Sequence, residues 1–183
     1  EEGQSDRAIE ALEKLGATLR RNKATVQVAL ARLFMQKGAL DKARVQLEEA
    51  AKDPQDYEGN ALLGELLLKV GVPPEVAMEF VTRAVERNGS HSASRHLLTR
   101  SFLAQGKVQE ALKQIDAWTQ DNPTLELAWR DAALVYLQAG KLKEAEAASA
   151  KGLLNAEDPE VWRIRAIILF ARGDGRGAMS ALE

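Results

Sequence analysis

Six glycines recur at a nearly constant interval along this chain of 183 residues: Gly3, Gly38, Gly71, Gly106, Gly140 and Gly173, separated by 35, 33, 35, 34 and 33 residues. An alanine follows five residues later as Ala8, Ala43, Ala111, Ala145 and Ala178, and six residues after Gly71 as Ala77. The clearest copy of the pattern runs from Leu125 to Ala145, with an apolar helix, a stop at Gly140 and then a second helix. One helical hairpin cannot bury its apolar face alone. A fixed period of this length therefore predicts an all-α solenoid, in which stacked neighbours bury it.

The period divides the chain into repeats at 24–56, 57–91, 92–125 and 126–158, with partial repeats at 1–23 and 159–183, about five in all. The segment Glu1-Glu2-Gly3 reads as the end of a first helix, and Glu183 falls before a closing helix finishes. The chain is thus expected to be a piece of a longer array, cut inside a repeat at both ends. A second helix is expected from Ser5 to Arg20. Its closing cations Arg20, Arg21 and Lys23 would complement the negative helix end. Helices should also stop at Asp53-Pro54 and Asn122-Pro123, since proline disfavours helix in the residue before it. Asp158-Pro159 should cap and open the next helix. The turn Gly71-Val72-Pro73-Pro74 holds one residue more than the others.

On these residues the chain resembles the tetratricopeptide repeat family over essentially its whole length. That family's early aromatic matches Trp129 and Trp162, and its leucine beside a small residue matches Leu30-Ala31, Leu63-Gly64 and Leu98-Thr99. Its later aromatic matches Phe34, Phe102 and Tyr136. Arg165 departs from the pattern at a leucine place, as does Trp118 where Ala50 and Ala84 stand in other units. The resemblance implies a right-handed superhelix of antiparallel helix pairs, with Ala43, Ala111 and Ala145 at the closest helix contacts. Trp129 and Trp162 recur at the repeat period and read as core; Trp118 is the one tryptophan whose position leaves exposure open.

Nothing in the sequence assembles an active site. No cysteine is present, which removes disulfides, thiolate zinc sites and iron–sulfur clusters. His91 and His96 are five apart and project about 140° from each other on a helix, an awkward geometry for sharing a metal. Phosphate-loop, GxSxG and HExxH motifs are missing. The expectation is a protein that is not an enzyme and takes no cofactor. Charge is balanced, with 25 Lys and Arg against 27 Asp and Glu, which excludes a globally basic nucleic-acid binder. No apolar run reaches the roughly 18 residues of a membrane helix, so direct membrane insertion is not expected.

The family resemblance puts the first helix of each pair on a concave inner wall. The inward set is then Val28, Ala29, Arg32, Met35 and Gln36, followed by Ala61, Leu62, Glu65, Leu68 and Lys69. His96, Leu97, Arg100, Leu103 and Ala104 continue it, then Arg130, Asp131, Leu134, Leu137 and Gln138, and finally Arg163, Ile164, Ile167, Phe170 and Ala171. Five cations against two anions give this wall a local charge of +3, and Arg100, Arg130 and Arg163 are expected to form a continuous basic stripe. A partner peptide carrying apolar and acidic groups is the ligand this implies. The family's carboxylate clamp for chaperone tails uses an asparagine that the wall lacks, so chaperone-tail binding is not expected. The alternative is an architectural segment that self-associates through open repeat ends. In its alanine, leucine and arginine usage the chain resembles bacterial repeat proteins of secretion and exopolysaccharide-export systems, many of them periplasmic.

Overall fold

The structure is a computed structural model that describes residues 2–19, 22–53, 55–154 and 158–183. Among these residues every regular element is a helix. They are α1 (Glu2–Thr18), α2 (Lys23–Gln36), α3 (Leu40–Ala50), α4 (Tyr57–Lys69), α5 (Pro74–Arg87), α6 (Ser92–Ala104), α7 (Val108–Asp121), α8 (Glu126–Gln138), α9 (Leu142–Gly152), α10 (Pro159–Ala171) and α11 (Gly175–Ser180). The chain divides into two compact units, Glu1–Ser94 and Arg95–Glu183.

The periodic glycines produce one turn five times over. Gly38, Gly71, Gly106, Gly140 and Gly173 have φ of +72°, +80°, +69°, +72° and +87°, in the left-handed region that glycine enters without a Cβ clash. At the first, the Gly38 amide donates to the Met35 carbonyl at 3.0 Å and the Ala39 amide to the Phe34 carbonyl at 2.8 Å. The same two bonds close the others, ending with Gly173 to Phe170 and Asp174 to Leu169, both at 2.9 Å. This is the Schellman arrangement, which satisfies helix-end carbonyls while reversing the chain.

Gly3 does not belong to the series. It lies inside α1, so the expected end of a first helix at Glu1-Glu2-Gly3 is corrected: a glycine is tolerated within a helix where the surrounding residues propagate it. Lys23 is also reassigned. It opens α2 instead of closing α1, while its companions Arg20 and Arg21, like Pro54, lie outside the described residues.

Packing within each unit follows the turns. In the first, α2 lies against α1, α3 and α4, and α4 against α5; in the second, α8 lies against α7, α9 and α10, and α10 against α9 and α11. The alanine after each turn is the contact residue, and Ala43, Ala77, Ala111 and Ala145 are fully buried. Gly64 marks a close approach of α4 to α5. A Cβ placed there would sit 2.4 Å from Val81 Cγ2 and 3.1 Å from the Ala77 carbonyl oxygen on α5.

The tryptophans divide unexpectedly. Trp118 is fully buried in the apolar cluster of the second unit, with Ile115, Ala132 and Val135, whereas Trp162 remains 39% exposed. Trp129 is half-buried, donates its indole N–H to the Pro123 carbonyl at 2.7 Å and carries the Lys151 ammonium 3.7 Å over its ring.

Two stability measurements check this packing. Gly64→Ala should overpack the α4–α5 contact and lower unfolding free energy in urea by roughly 1–3 kcal/mol. Trp118→Ala should cost roughly 3–5 kcal/mol, the range for deleting a buried aromatic, and Trp162→Ala clearly less; equal losses would contradict the assignment of burial.

Candidate interaction surface

The inner-wall residues do not all face outward. Val28 and Ala61 are buried in the first unit, where Met35, Leu62 and Leu68 are half-buried against its apolar cluster. Arg32 is exposed and bonded to Glu58 at the start of α4, and Lys69 is exposed. In the second unit Leu97, Leu134 and Leu137 are half-buried, Ile167 and Phe170 are 49% and 73% exposed, and Leu103, Asp131 and Ile164 are buried. Leu103 and Ile164 therefore belong to the core rather than to a groove lining.

A network of charged groups ties α6, α8 and α10 together. His96 Nδ1 lies 2.6 Å from Asp131 Oδ2. Asp131 is only 1% exposed, and its other oxygen is 3.9 Å from Arg130 Nε. An ionised carboxylate only accepts, so in this contact Nδ1 is the donor. Arg130 also reaches Asp158 at 3.1 Å and Glu160 at 3.7 Å. Glu160 in turn receives Arg100 at 3.1 Å and Arg163 at 3.9 Å.

This arrangement corrects the expected stripe. Three arginines (Arg100, Arg130, Arg163) meet three acids (Asp131, Asp158, Glu160), so the formal charges of these six cancel. The acids Asp158 and Glu160 were not legible as wall residues because they stand at the start of α10, before its first inward position, where Asp158 reads as a cap. Asp158 does cap, accepting the Glu160 amide at 2.8 Å. The available signal was recurrence: an acid at the start of a first helix, Glu58 or Glu160, meets an arginine six residues before an earlier turn, Arg32 or Arg100.

Burial acts to raise the Asp158 carboxyl, but the Glu160 amide and the Arg130 guanidinium outweigh it and leave its pKa below the usual value of 3.8. A carboxylate depressed in the folded state adds stability that is complete above the unfolded value and is lost as pH falls through the folded one. Thermal melts of the parent should therefore lose stability below about pH 4, and Asp158→Asn should have a lower midpoint at neutral pH with a flatter acid limb. A parallel shift of both acid limbs would show that Asp158 is not paired.

Among the described residues no group of three or more histidines, aspartates or glutamates comes together to hold a metal, and no helix is long and apolar enough to cross a membrane. A family model described as tetratricopeptide repeat matches residues 1–69 and 96–160. No curated protein matches the sequence. Among solved structures, a tetratricopeptide repeat protein from Parabacteroides merdae superposes with a TM-score of 0.79 at 17% identity, over 98% of this chain and 72% of that one. MamA from Desulfovibrio magneticus gives 0.74 at 18% identity, over 89% and 93%. PilW, described as a widely conserved type IV pilus biogenesis factor, gives 0.79 at 18% identity, over 98% and 84%.

Proposed function

Because this chain belongs to the tetratricopeptide repeat family, we propose that it is a protein–protein interaction scaffold whose first-helix face takes a partner peptide with apolar and acidic side chains. The chain is read as one array, with repeats at 24–56, 57–91, 92–125 and 126–158 between two partial ones. The observation that carries the reading is the Arg100–Glu160 pair, which joins α6 to α10 and has a half-exposed guanidinium. A peptide carboxylate can take the place of Glu160 there while its apolar side chains cover Leu97, Leu134 and Leu137. The exchange keeps Arg100 paired while Glu160 retains Arg130 and Arg163 as neighbours, which limits the desolvation cost of binding. In the first unit Arg32, paired to Glu58, offers the same exchange beside Met35, Leu62, Leu68 and Lys69.

The test begins with peptides selected by display on the folded protein. They should be enriched in aspartate, glutamate and aliphatic residues. Leu97→Asp should weaken them about tenfold or more through faster dissociation, and Arg100→Gln should weaken them less and remove part of the salt dependence. Both variants should keep the helical spectrum. Selected peptides that bind Leu97→Asp as well as the parent would place the interaction elsewhere.

A second reading is architectural: a segment of a larger bacterial secretion or export assembly that associates through its repeat ends. The shared fold with PilW supports it, and concentration-dependent sedimentation separates it from the peptide reading.

A further inference from the structure

Asp131 breaks the repeat. The position nine residues before the turn glycine holds Ala29, Leu62, Leu97 and Ile164 in the other repeats and Asp131 in this one, and its carboxylate is only 1% exposed. A buried charge costs stability that an aliphatic side chain would not, unless a partner offsets it. Departures of this kind gather where a function needs them.

The partner is His96. Its Nδ1 lies 2.6 Å from Asp131 Oδ2, and among the described residues Asp131 Oδ1 has no hydrogen bond at all. This contact fixes the orientation of an imidazole that keeps 31% of its side chain exposed. With Nδ1 engaged, Nε2 is the ring nitrogen left to meet a ligand. Arg100 follows His96 by four residues on α6, a spacing that makes the two side chains neighbours on one face. A carboxylate seated on Arg100 is therefore within reach of the imidazole.

Whether the imidazole helps to hold that carboxylate depends on its charge. A neutral ring that donates through Nδ1 offers only an acceptor at Nε2, which a carboxylate cannot use, whereas a protonated ring donates there as well. Histidine changes between these states within about pH 5–8. The charged groups around His96 are Arg95 and Arg100 on its own helix, Asp121 of α7 bonded to Arg95, Arg130 and Asp131 on α8, and Asp158 and Glu160 on α10. Arg95 is matched by Asp121, and the six groups of the network cancel, so a proton on His96 leaves this face with one net positive charge.

We propose that His96 is a specificity-determining residue of the peptide-binding face, a role that rests on the reading of that face given above. Protonated, it donates from Nε2 to the partner carboxylate held by Arg100, and buried Asp131 is its positioning residue. Acidic peptides then bind more tightly as pH falls from neutral.

The probe is the tightest-binding acidic peptide from the display selection, labelled with fluorescein, together with a copy in which every aspartate and glutamate is changed to its amide. In fluorescence anisotropy the parent should hold the acidic peptide about three- to tenfold more tightly at about pH 5.5 than at about pH 7.5, a range in which peptide carboxylates stay ionised. The helical spectrum should not change over this range, and the amide copy should show no gain. His96→Gln should bind the acidic peptide equally at both pH values, whereas His91→Gln, which removes the other histidine, should keep the gain. Asp131→Asn should lose much of it, a change in pH profile that a loss of stability alone does not produce. Because the amide copy is tested on the parent, the outcome does not depend on how well His96→Gln folds. Equal affinity of the parent at both pH values, an equal gain with the amide copy, or a gain that persists in His96→Gln overturns the role of His96 while the peptide face stands. If display yields no peptide, or Leu97→Asp binds the selected peptide as the parent does, the face itself fails and the role of His96 with it.

Discussion

A left-handed glycine closed by two backbone hydrogen bonds is the constraint on which the described helices depend. Each of the five turns reverses the chain through the same pair of amide-to-carbonyl contacts, and the reversal lays the second helix against the first with an alanine at the contact. Because these bonds are made by the main chain, they ask little of the surrounding side chains. That agrees with the solved structures sharing this fold at 17% to 18% identity.

Electrostatics gives the second unit its chemical character. An arginine-rich inner face invites a picture of an open cationic strip waiting for an acidic ligand. The arginines instead already have acidic neighbours, and one of the acids, Asp131, is removed from water. Removing a charge from such a set strands its partner, so the more buried members, Asp131 bonded to His96 and Arg130 bonded to Asp158, act mainly in holding α6, α8 and α10 together. Arg100 and Arg163 are the more exposed members of the set.

The fold was legible because its signal repeats. Five glycines at the turns and the alanines five or six residues after them are local requirements of backbone conformation and close contact, and such requirements survive in a single sequence. Gly3 misled because a glycine marks a turn only when the chain leaves the helix there, and α1 continues through it. The wall was half legible. The family resemblance put Leu97, Leu134, Ile167 and Phe170 on the inner wall, where they are half-buried or exposed, yet it missed Asp158 and Glu160, whose roles depend on which arginine the neighbouring helix brings near. Trp162, read as core, failed for a related reason, and Trp118 was left open for the same one: burial is set by what covers a residue, and register alone does not state whether a cover is present.

The turn after α4 shows where this architecture tolerates change in length. Gly71 keeps its positive φ, and the Val72 amide still reaches the Leu67 carbonyl at 3.0 Å, so the cap is complete before the extra residue is met. That residue is absorbed at Pro73, with φ −49° and ψ 133°, and α5 opens at Pro74, where no amide is missed. An insertion placed after the second cap bond is silent to the helix before it, while one placed before it would dismantle the reversal. Indels in arrays of this kind should therefore accumulate between the completed cap and the first turn of the next helix, a narrow window in which the chain can drift in length without changing its direction.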